Sequence, residues 1–443
     1  MLSSVAINED ANHIRLLRGL AGLSWIATAV LAHSSPLSSA FDSSFRVVQG
    51  PSNVSVAHRL GQPALRWDTF HFAHIAKYGY VFEHERAFMP GSPMVMRAML
   101  GLLRVLGISS SEDLTDFGEL LLGAILVAFT CHLLAVTCLY RLTIHHLQCP
   151  TIALLVSLLS LLPSSPATLR IVPYTEPFFT YLSYQGMLLC ARSQWMLATC
   201  CFAAAGTFRS NGILLSGFII WGMLVEPYLA HRKVHGLPKT SPGRVVYTIY
   251  LVSLVFLPFV AHQYSAYRDF CSTSVAPAPW CNRIPPSIYS YVQAKYWNSG
   301  FMRYWTPQQL PNFLISAPVL VLLLGYSAHY IRRALIPHLQ ALSASRTHIS
   351  KSKSSRSIIA SLSPFLSPSV APHAIHAFIF TLMLLFTAHT QIVLRLAASM
   401  PFTYWAAAWL LVEHPLWGKR WVTWSVVWGA VSVVLWATFM PPA

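Results

Sequence analysis

Residues 118–140 read GELLLGAILVAFTCHLLAVTCLY, and beyond Glu119 this run contains no Asp, Glu, Lys or Arg. The hydrocarbon core of a bilayer is about 30 Å thick, so a helix needs about 20 mainly apolar residues to cross it. The run is therefore typical of a transmembrane helix. Ten further stretches share its apolar character, which predicts eleven spans. These are 17–33, 118–140, 151–172, 177–191, 194–208, 211–230, 245–264, 312–331, 373–394, 402–417 and 421–438.

The composition of the chain supports the same class. Of its 443 residues 55% are hydrophobic and only 10% are charged, whereas about 25% are charged in an ordinary soluble domain. The 14 Trp and 24 Phe are too many for a disordered chain. A net charge of +16 would suit a nucleic-acid partner, but the apolar content favours a membrane, and no nucleic acid is expected. The sequence thus predicts an all-α polytopic membrane protein of about eleven transmembrane helices.

Lysine and arginine in the loops predict the orientation, because short basic loops stay in the cytosol. Arg15 precedes the first span and Arg18 lies at its start, which predicts a cytosolic N-terminus at 1–16. Alternation from there puts the other basic connections on the same side, at 141, 192, 232–244, 332–372 and 419–420. Residues 17–443 would then form a single membrane-embedded domain with two long luminal loops, 34–116 and 265–311.

The two long loops carry features of an oxidising secretory lumen. The first holds the sequon Asn53-Val54-Ser55, a pattern for N-linked glycan that also arises by chance. The second holds Cys271 and Cys281, while the other six cysteines lie in or beside spans. Two cysteines in one oxidising loop either form a disulfide or stay free, and the sequence leaves both open.

The first of these loops contains two predicted helices. Residues 67–77 have helical spacing, which would place Asp68 and His71 on one face, and Gly79 would end the helix. Residues 94–107 form an apolar helix that is short for a span and carries two arginines. We therefore expect it to lie in the membrane interface.

A series of motifs then indicates a known family. The first loop reads Trp67-Asp68-x-x-His71-Phe72-x-x-Ile75-Ala76-x-x-Gly79-Tyr80-x-x-Glu83-His84, then Phe88-x-Pro90-Gly91-x-Pro93. Later blocks include Tyr174-Thr175-Glu176, Phe208-Arg209-Ser210-Asn211-Gly212, Tyr296-Trp297-Asn298-x-Gly300-Phe301 and His389-x-Gln391-x-x-x-Arg395-x-x-x-Ser399. From about residue 60 to 415 the pattern closely resembles the PIG-V family of GPI mannosyltransferases. Met89 departs from it, since the family tends to have an aromatic residue there.

The resemblance implies a GT-C type glycosyltransferase of the endoplasmic reticulum membrane with a luminal active site. Its donor would be dolichyl-phosphate mannose. Its acceptor would be a mannosylated GPI lipid intermediate, which would receive the second mannose in α1,6 linkage. A small membrane partner subunit is left open. No cofactor is expected and no metal ligands are assigned, because the loop lacks an Asp-x-Asp pair, but a divalent metal is not excluded.

The expected reaction inverts the anomeric carbon, because the donor is β-linked and the product α-linked. A single displacement of this kind needs a carboxylate to take the proton of the attacking hydroxyl. Elimination among the 14 acids leaves Asp68, Glu83, Glu85 and Glu176. We predict Asp68 as the base, because GT-C enzymes keep their catalytic acid in the first luminal loop, and Glu83 as a second catalytic residue. The simpler alternatives are a helix N-cap for Asp68 and an ion pair for Glu83.

Cations and hydrogen-bond donors stabilise a departing phosphate. Arg209, Arg395 and His389 are the candidates, since they lie near predicted luminal ends of spans, although each arginine has the alternative of pairing with Glu176. The residues expected to contact the substrates are Trp67, His71, Tyr296, Trp297, Asn298 and Glu176.

Two other functions remain as alternatives. Another dolichyl-phosphate-sugar transferase, acting on N-glycan or protein acceptors, would use the same chemistry, because residue types alone do not reveal the acceptor. A transporter or lipid scramblase would be expected to place its acids inside spans at the membrane midplane. Here nearly all acids lie in loops or at span ends, which disfavours transport.

Overall fold

The computed structural model describes residues 2–35, 42, 61–107, 117–229, 241–272, 278–344 and 363–440, and the regular elements in these ranges are all helical. The sequon at Asn53 lies outside them. The α-helices are α1 (Leu2–Ser34), α2 (Asp68–Tyr78), α3 (Gly91–Val105), α4 (Phe117–Leu147), α5 (Pro150–Leu159), α6 (Pro166–Arg170), α7 (Thr175–Ala191), α8 (Trp195–Phe208), α9 (Ser216–Ile220), α10 (Pro242–Tyr267), α11 (Ile288–Tyr296), α12 (Leu310–Tyr330), α13 (Ile336–Ala344), α14 (Ala371–Thr387), α15 (Val393–Leu396), α16 (Pro401–Glu413) and α17 (Pro415–Ala437).

The chain is an all-α polytopic membrane protein. Among the described residues, seven helical stretches are long and apolar enough to cross a bilayer. They are Glu9–Ser34, Gly118–Leu147, Ser210–Leu229, Pro242–Ser272, Pro307–Gln340, Pro368–Thr387 and Pro415–Ala437. The remaining predicted spans correspond to shorter helices such as α5 and α8, so the number eleven stays a prediction.

Three predicted spans are not continuous helices. The span predicted at 402–417 is interrupted at His414, between the end of α16 at Glu413 and the start of α17 at Pro415. The other two break inside the bundle. The span predicted at 151–172 breaks after α5, and Pro163 in the break lacks the N–H that a helix interior needs. A new helix, α6, begins at Pro166. The span predicted at 373–394 ends at Thr387, where the backbone of Ala388 becomes extended.

The two breaks pack against each other inside the bundle. The Ser164 hydroxyl donates to the carbonyl of Leu394 at 2.6 Å, and the Tyr184 hydroxyl donates to the carbonyl of Ala398. Irregular backbone at membrane depth is stable only where protein surrounds it, and residues 163–175 are buried. The breaks therefore bring α7 and α15 together at one end of the bundle.

The two long loops lie at that end, which we call the loop face (residues 61–107 and 278–309). The first predicted helix is α2, ended by Gly79 at a φ of +78° as expected. The second is α3, which begins three residues earlier than predicted. Its exposed Leu102 and Val105 suit a helix in the membrane interface.

Apolar packing fixes the first loop on the bundle. Phe72 of α2 and Met96 of α3 are buried in one cluster with Leu121 of α4 and Trp436 of α17. Burying a side chain of this size stabilises a fold by roughly 1.5–3 kcal/mol. The helix that carries Asp68 is therefore a fixed part of the bundle.

The connection predicted as a basic loop at 332–372 begins as helix. A π-helix (Ile331–Leu335) and α13 continue the preceding span as far as Ala344. The helix therefore runs past Arg332 and Arg333 into the predicted connection, whose position in the cytosol stays a prediction. Residues 345–362 lie outside the described part of the chain.

Candidate active site

Asp68 is fixed at the start of α2 by its backbone. Its amide donates to the hydroxyl of Tyr174 at 2.7 Å, and that hydroxyl donates to the carbonyl of Arg66 at 3.2 Å. The helix is preceded by Trp67, whose φ of 48° lies in the left-handed region. Asp68 is the first residue of the helix and not its cap, so the N-cap alternative is wrong.

A chain of ion pairs connects Asp68 to the bundle. Nη1 of Arg395 lies 3.3 Å from Oδ2 of Asp68. Nε of Arg395 donates a hydrogen bond to Oε1 of Glu176 at 2.7 Å. Arg209 donates from Nη1 to the same Glu176 oxygen at 3.0 Å and to the hydroxyl of Thr175 at 2.7 Å. Two cations and two carboxylates thus form one network with no net charge.

Burial separates the roles of the two carboxylates. The side chain of Glu176 is 1% exposed and contacts both arginines, whereas that of Asp68 is 32% exposed. A buried carboxylate is stable only when paired in this way. Asp68 is therefore the carboxylate that a ligand can reach.

Burial raises the pKa of Tyr174 well above its ordinary value. The hydroxyl of Tyr174 therefore keeps its proton and continues to donate to the carbonyl of Arg66.

A cavity of about 840 Å³ opens beside Asp68. Asp68 is the acid in its described lining, and the cations are Arg209, Arg303 and Arg395. Trp297 forms part of the wall, and α14 contributes apolar side chains. The cavity thus combines a carboxylate, several guanidinium groups and an aromatic surface, which fits a phosphorylated sugar.

The structure brings together only some of the predicted substrate contacts. Asp68, Arg209, Arg395 and Trp297 line the cavity, and Glu176 lies behind the two arginines. Tyr296 and Asn298 flank Trp297 but are outside the described lining. Trp67 is 39% exposed with its ring centroid 6.3 Å from that of Phe439. His71 is also outside the lining, and the centroid of its ring lies 4.8 Å from that of Phe88, on which it stacks. Burial lowers the pKa of His71.

Glu83 joins the two loops of the loop face. Its carboxylate accepts hydrogen bonds from Lys295 at 2.9 Å, Tyr296 at 2.9 Å and Trp280 at 3.2 Å. The first of these bonds raises the pKa of Lys295. Glu83 is outside the described lining of the cavity. This geometry favours the ion-pair alternative, and a catalytic role for Glu83 stays a prediction.

His389 is held by structural contacts. Its Nε2 lies 2.7 Å from the carbonyl of Trp297, and its ring stacks on Tyr304 at 4.6 Å. The sequence predicted His389 inside the span 373–394, which is wrong, because α14 ends at Thr387, and Arg395 belongs to a separate helix, α15. The histidine orients the second loop over the cavity, and its predicted contact with phosphate is untested.

The cysteines of the second loop form a disulfide, Cys271–Cys281, with Cα atoms 5.7 Å apart. It ties the π-helix that follows α10 (Arg268–Ser272) to the segment that carries Trp280, the partner of Glu83. Within the described ranges, no three His, Cys, Asp or Glu side chains come together to hold a metal ion. That no metal is needed stays a prediction, and a divalent metal is still not excluded.

Comparison with known proteins supports the same identification as the motifs. A family model described as Mannosyltransferase (PIG-V) matches residues 15–443. The chain belongs to the PIG-V mannosyltransferase family. A GPI mannosyltransferase 2 of Cryptococcus neoformans var. neoformans serotype D (strain B-3501A) is 36% identical over 86% of this chain and 89% of the relative. A GPI alpha-1,6-mannosyltransferase 2 of Rattus norvegicus is 32% identical over 79% of this chain and 73% of the relative.

Sequence reasoning missed two residues of this PIG-V family site. Tyr174 was seen only as part of a motif, although it binds the backbone on both sides of Trp67. Arg303 was not singled out, although it lines the cavity. The sequence did contain a pattern that could have drawn attention to Tyr174. Three prolines precede it, Pro163, Pro166 and Pro173, and they indicate irregular backbone just before that residue. No pattern in the sequence marked Arg303.

Proposed function

We propose that this PIG-V family chain transfers the second mannose, in α1,6 linkage, from dolichyl-phosphate mannose to a mannosylated GPI-anchor precursor. Its relatives carry the names GPI mannosyltransferase 2 and GPI alpha-1,6-mannosyltransferase 2. The observation that carries the proposal is the position of Asp68. Its accessible carboxylate faces a cavity of about 840 Å³ beside two arginines that Glu176 holds in place.

The proposed reaction is one displacement at the anomeric carbon of the donor mannose. The acceptor hydroxyl attacks that carbon from the face opposite the phosphate and gives its proton to Asp68. The bond between the carbon and the phosphate oxygen breaks, and its electron pair leaves with the dolichyl phosphate. Attack from the opposite face converts the β-linked donor into an α-linked product.

The two arginines stabilise the leaving group. A departing phosphate monoester carries more negative charge than the diester of the donor, so guanidinium groups that face it bind the transition state better than the substrate. Glu176 keeps Arg209 and Arg395 side by side before the donor arrives. Trp297 offers a flat apolar surface on which the mannose ring would pack.

The proposed location is the endoplasmic reticulum membrane, with the loop face in the lumen and the N-terminus in the cytosol. Arg15 and Arg18 lie in the first half of α1, and Lys419 and Arg420 at the start of α17 lie at the end of the bundle opposite the loop face. This distribution agrees with the rule that basic loops remain in the cytosol.

The test uses microsomes from cells that lack the activity and re-express the full chain. They are given a one-mannose GPI intermediate and either labelled dolichyl-phosphate mannose or labelled GDP-mannose under conditions that block conversion between the two. We expect a two-mannose product only from the dolichyl donor, and cleavage of its new linkage by an α1,6-specific mannosidase. Product from GDP-mannose alone, or a linkage that resists this enzyme, would refute the proposal.

A further inference from the structure

The end of α17 is bonded to the segment that leads into the turn before Asp68. The indole Nε1 of Trp436 donates to the carbonyl of Pro63 at 2.8 Å. Arg66 donates from Nε and from Nη2 to the carbonyl of Ala437, each at 3.3 Å. The last span is thus joined directly to the segment that carries the proposed base.

Arg66 belongs to both parts of this contact. Its carbonyl accepts hydrogen bonds from the hydroxyl of Tyr174 and, at 3.0 Å, from the amide of Thr69 in the first turn of α2. Its side chain is buried, and burial lowers the pKa of Arg66 only to about 10, so the guanidinium stays charged at neutral pH. A cation is favourable beside the carbonyls that end a helix, because they carry partial negative charge. The side chain of Arg66 therefore anchors the backbone just before Asp68 to the end of α17.

The residue that ends α17 has an unusual conformation for its type. The amide of Phe439 donates to the carbonyl of Trp436 at 3.2 Å, and that of Met440 donates to the carbonyl of Leu435 at 2.8 Å. This pattern is a Schellman motif, in which the left-handed position is usually glycine. Here that position is Phe439, with a φ of 62°. A strained residue of this kind persists only where its surroundings enforce it.

The contacts of its ring explain why a phenylalanine is present. The ring centroid of Phe439 lies 4.2 Å from the guanidinium carbon of Arg66 and 6.3 Å from the ring centroids of both Trp67 and Phe70. Trp67 is itself left-handed. Two strained aromatic residues thus pack together beside Asp68, and a glycine at 439 would lose all three contacts.

We propose that Arg66, Trp436 and Phe439 are positioning residues for the carboxylate of Asp68, a proposal that rests on the proposed function. All three are outside the described lining of the cavity, so they act through Asp68 and not by contact with a substrate. Trp436 also packs edge-on against the ring of Tyr174, with centroids 5.2 Å apart. A displacement of a catalytic group by about 1 Å can cost about 100-fold in rate. Loosening this contact should therefore lower kcat and leave substrate binding in place.

The test uses Trp436→Phe, which removes the indole N–H and keeps an aromatic ring. We expect kcat to fall about tenfold in the microsomal transfer assay, at matched levels of folded protein, while KM for donor and acceptor stays within about twofold. Trp405→Phe is the matched control, because Trp405 is also buried, donates from Nε1 to the hydroxyl of Thr143 at 2.9 Å and is outside the described lining. Both variants should lower the midpoint of thermal unfolding in detergent by similar amounts, but only Trp436→Phe should lower kcat.

Two variants of Arg66 provide a second measurement. Arg66→Met removes the cation and should lower kcat at least about tenfold, whereas Arg66→Lys keeps a charged donor for the carbonyl of Ala437 and should lose about threefold or less. An undiminished kcat in either Trp436→Phe or Arg66→Met, a rise in KM in place of a fall in kcat, an equal loss in Trp405→Phe, or no recovery with lysine would overturn the proposal. A wild type that forms no two-mannose product would instead refute the proposed function.

Discussion

At the scale of single residues, Asp68 is held by its backbone and by its side chain. Tyr174 fixes the amide, Arg395 contacts the carboxylate, and Trp67 takes a left-handed conformation just before the helix. A non-glycine residue in that conformation costs about 1–3 kcal/mol and persists only where its surroundings enforce it. The turn before α2 is therefore set up to aim Asp68 into the cavity.

The first prediction concerns Tyr174→Phe. The change removes the hydroxyl that joins the amide of Asp68 to the carbonyl of Arg66 and leaves both without that partner. Losing such a bond costs about 1–3 kcal/mol. We expect kcat to fall about tenfold with little change in donor KM, measured in the microsomal transfer assay. Tyr330→Phe removes a similar hydroxyl far from the site, bonded to Ser367, and should leave kcat unaffected.

The second prediction concerns Glu176→Gln. This buried carboxylate is the shared partner of Arg209 and Arg395, so its neutral analogue leaves two guanidinium groups facing each other. Removing one partner of a buried ion pair costs about 3–5 kcal/mol. We expect a clearly lower midpoint of thermal unfolding in detergent. Glu413→Gln, at an exposed acid bonded to Ser363, is the control, and equal midpoints for the two variants would contradict the network.

At the scale of helices, the sequence predicted continuous elements well and interruptions poorly. The end of α2 at Gly79 follows from the backbone freedom of glycine and was foreseen. The break after Leu159 was missed because the surrounding residues are apolar, although three prolines marked it. The break after Thr387 has no proline within it, and it is stabilised by contacts with residues 164 and 184, which are distant in sequence.

The candidate site shows the same limit. Residue types and motifs indicated Asp68, Arg209 and Arg395 separately, but Asp68 and Arg395 are 327 positions apart, and only the packing of the broken helices brings them together. Sequence spacing carries no information about such a contact. For the same reason it did not show that Glu176 lies behind the arginines.

A third prediction follows for the contact between the two loops. If Glu83 joins them, then Glu83→Gln and Lys295→Met should each lower kcat/KM moderately, by less than about tenfold, because exposed ion pairs contribute little. Loss of a general base or acid would cost about 100-fold or more. Transfer assays on both variants decide between the two roles. A loss of 100-fold or more in Glu83→Gln alone would contradict the structural role.

At the scale of the whole molecule, charge and cavity lie at opposite ends of the bundle. Lys419 and Arg420 mark the basic end, and the carboxylate of Asp68 opens at the other. A site at one end of a bundle would serve the two proposed lipid-linked substrates, because their chains could remain in the bilayer while their sugars enter the cavity. The proposed orientation puts that end in the lumen.

A fourth prediction tests this orientation. Gln308→Cys introduces an exposed thiol on the loop face, and Lys419→Cys introduces one at the opposite end. In sealed microsomes a membrane-impermeant maleimide should add label to the second variant above the wild-type background. It should reach the first only after the membrane is permeabilised. The reverse pattern would place the candidate site in the cytosol.

The central claim is that Asp68 takes the proton of the acceptor, and replacing it by asparagine tests this most directly. Asp68→Asn keeps the size of the side chain and loses the base, while Glu413→Gln is the matched change at an acid of the opposite end. In microsomes with labelled dolichyl-phosphate mannose and a one-mannose GPI intermediate, at matched protein levels, we expect Asp68→Asn to form at least about 100-fold less two-mannose product than wild type. Glu413→Gln should match wild type. Undiminished product from Asp68→Asn would contradict the account.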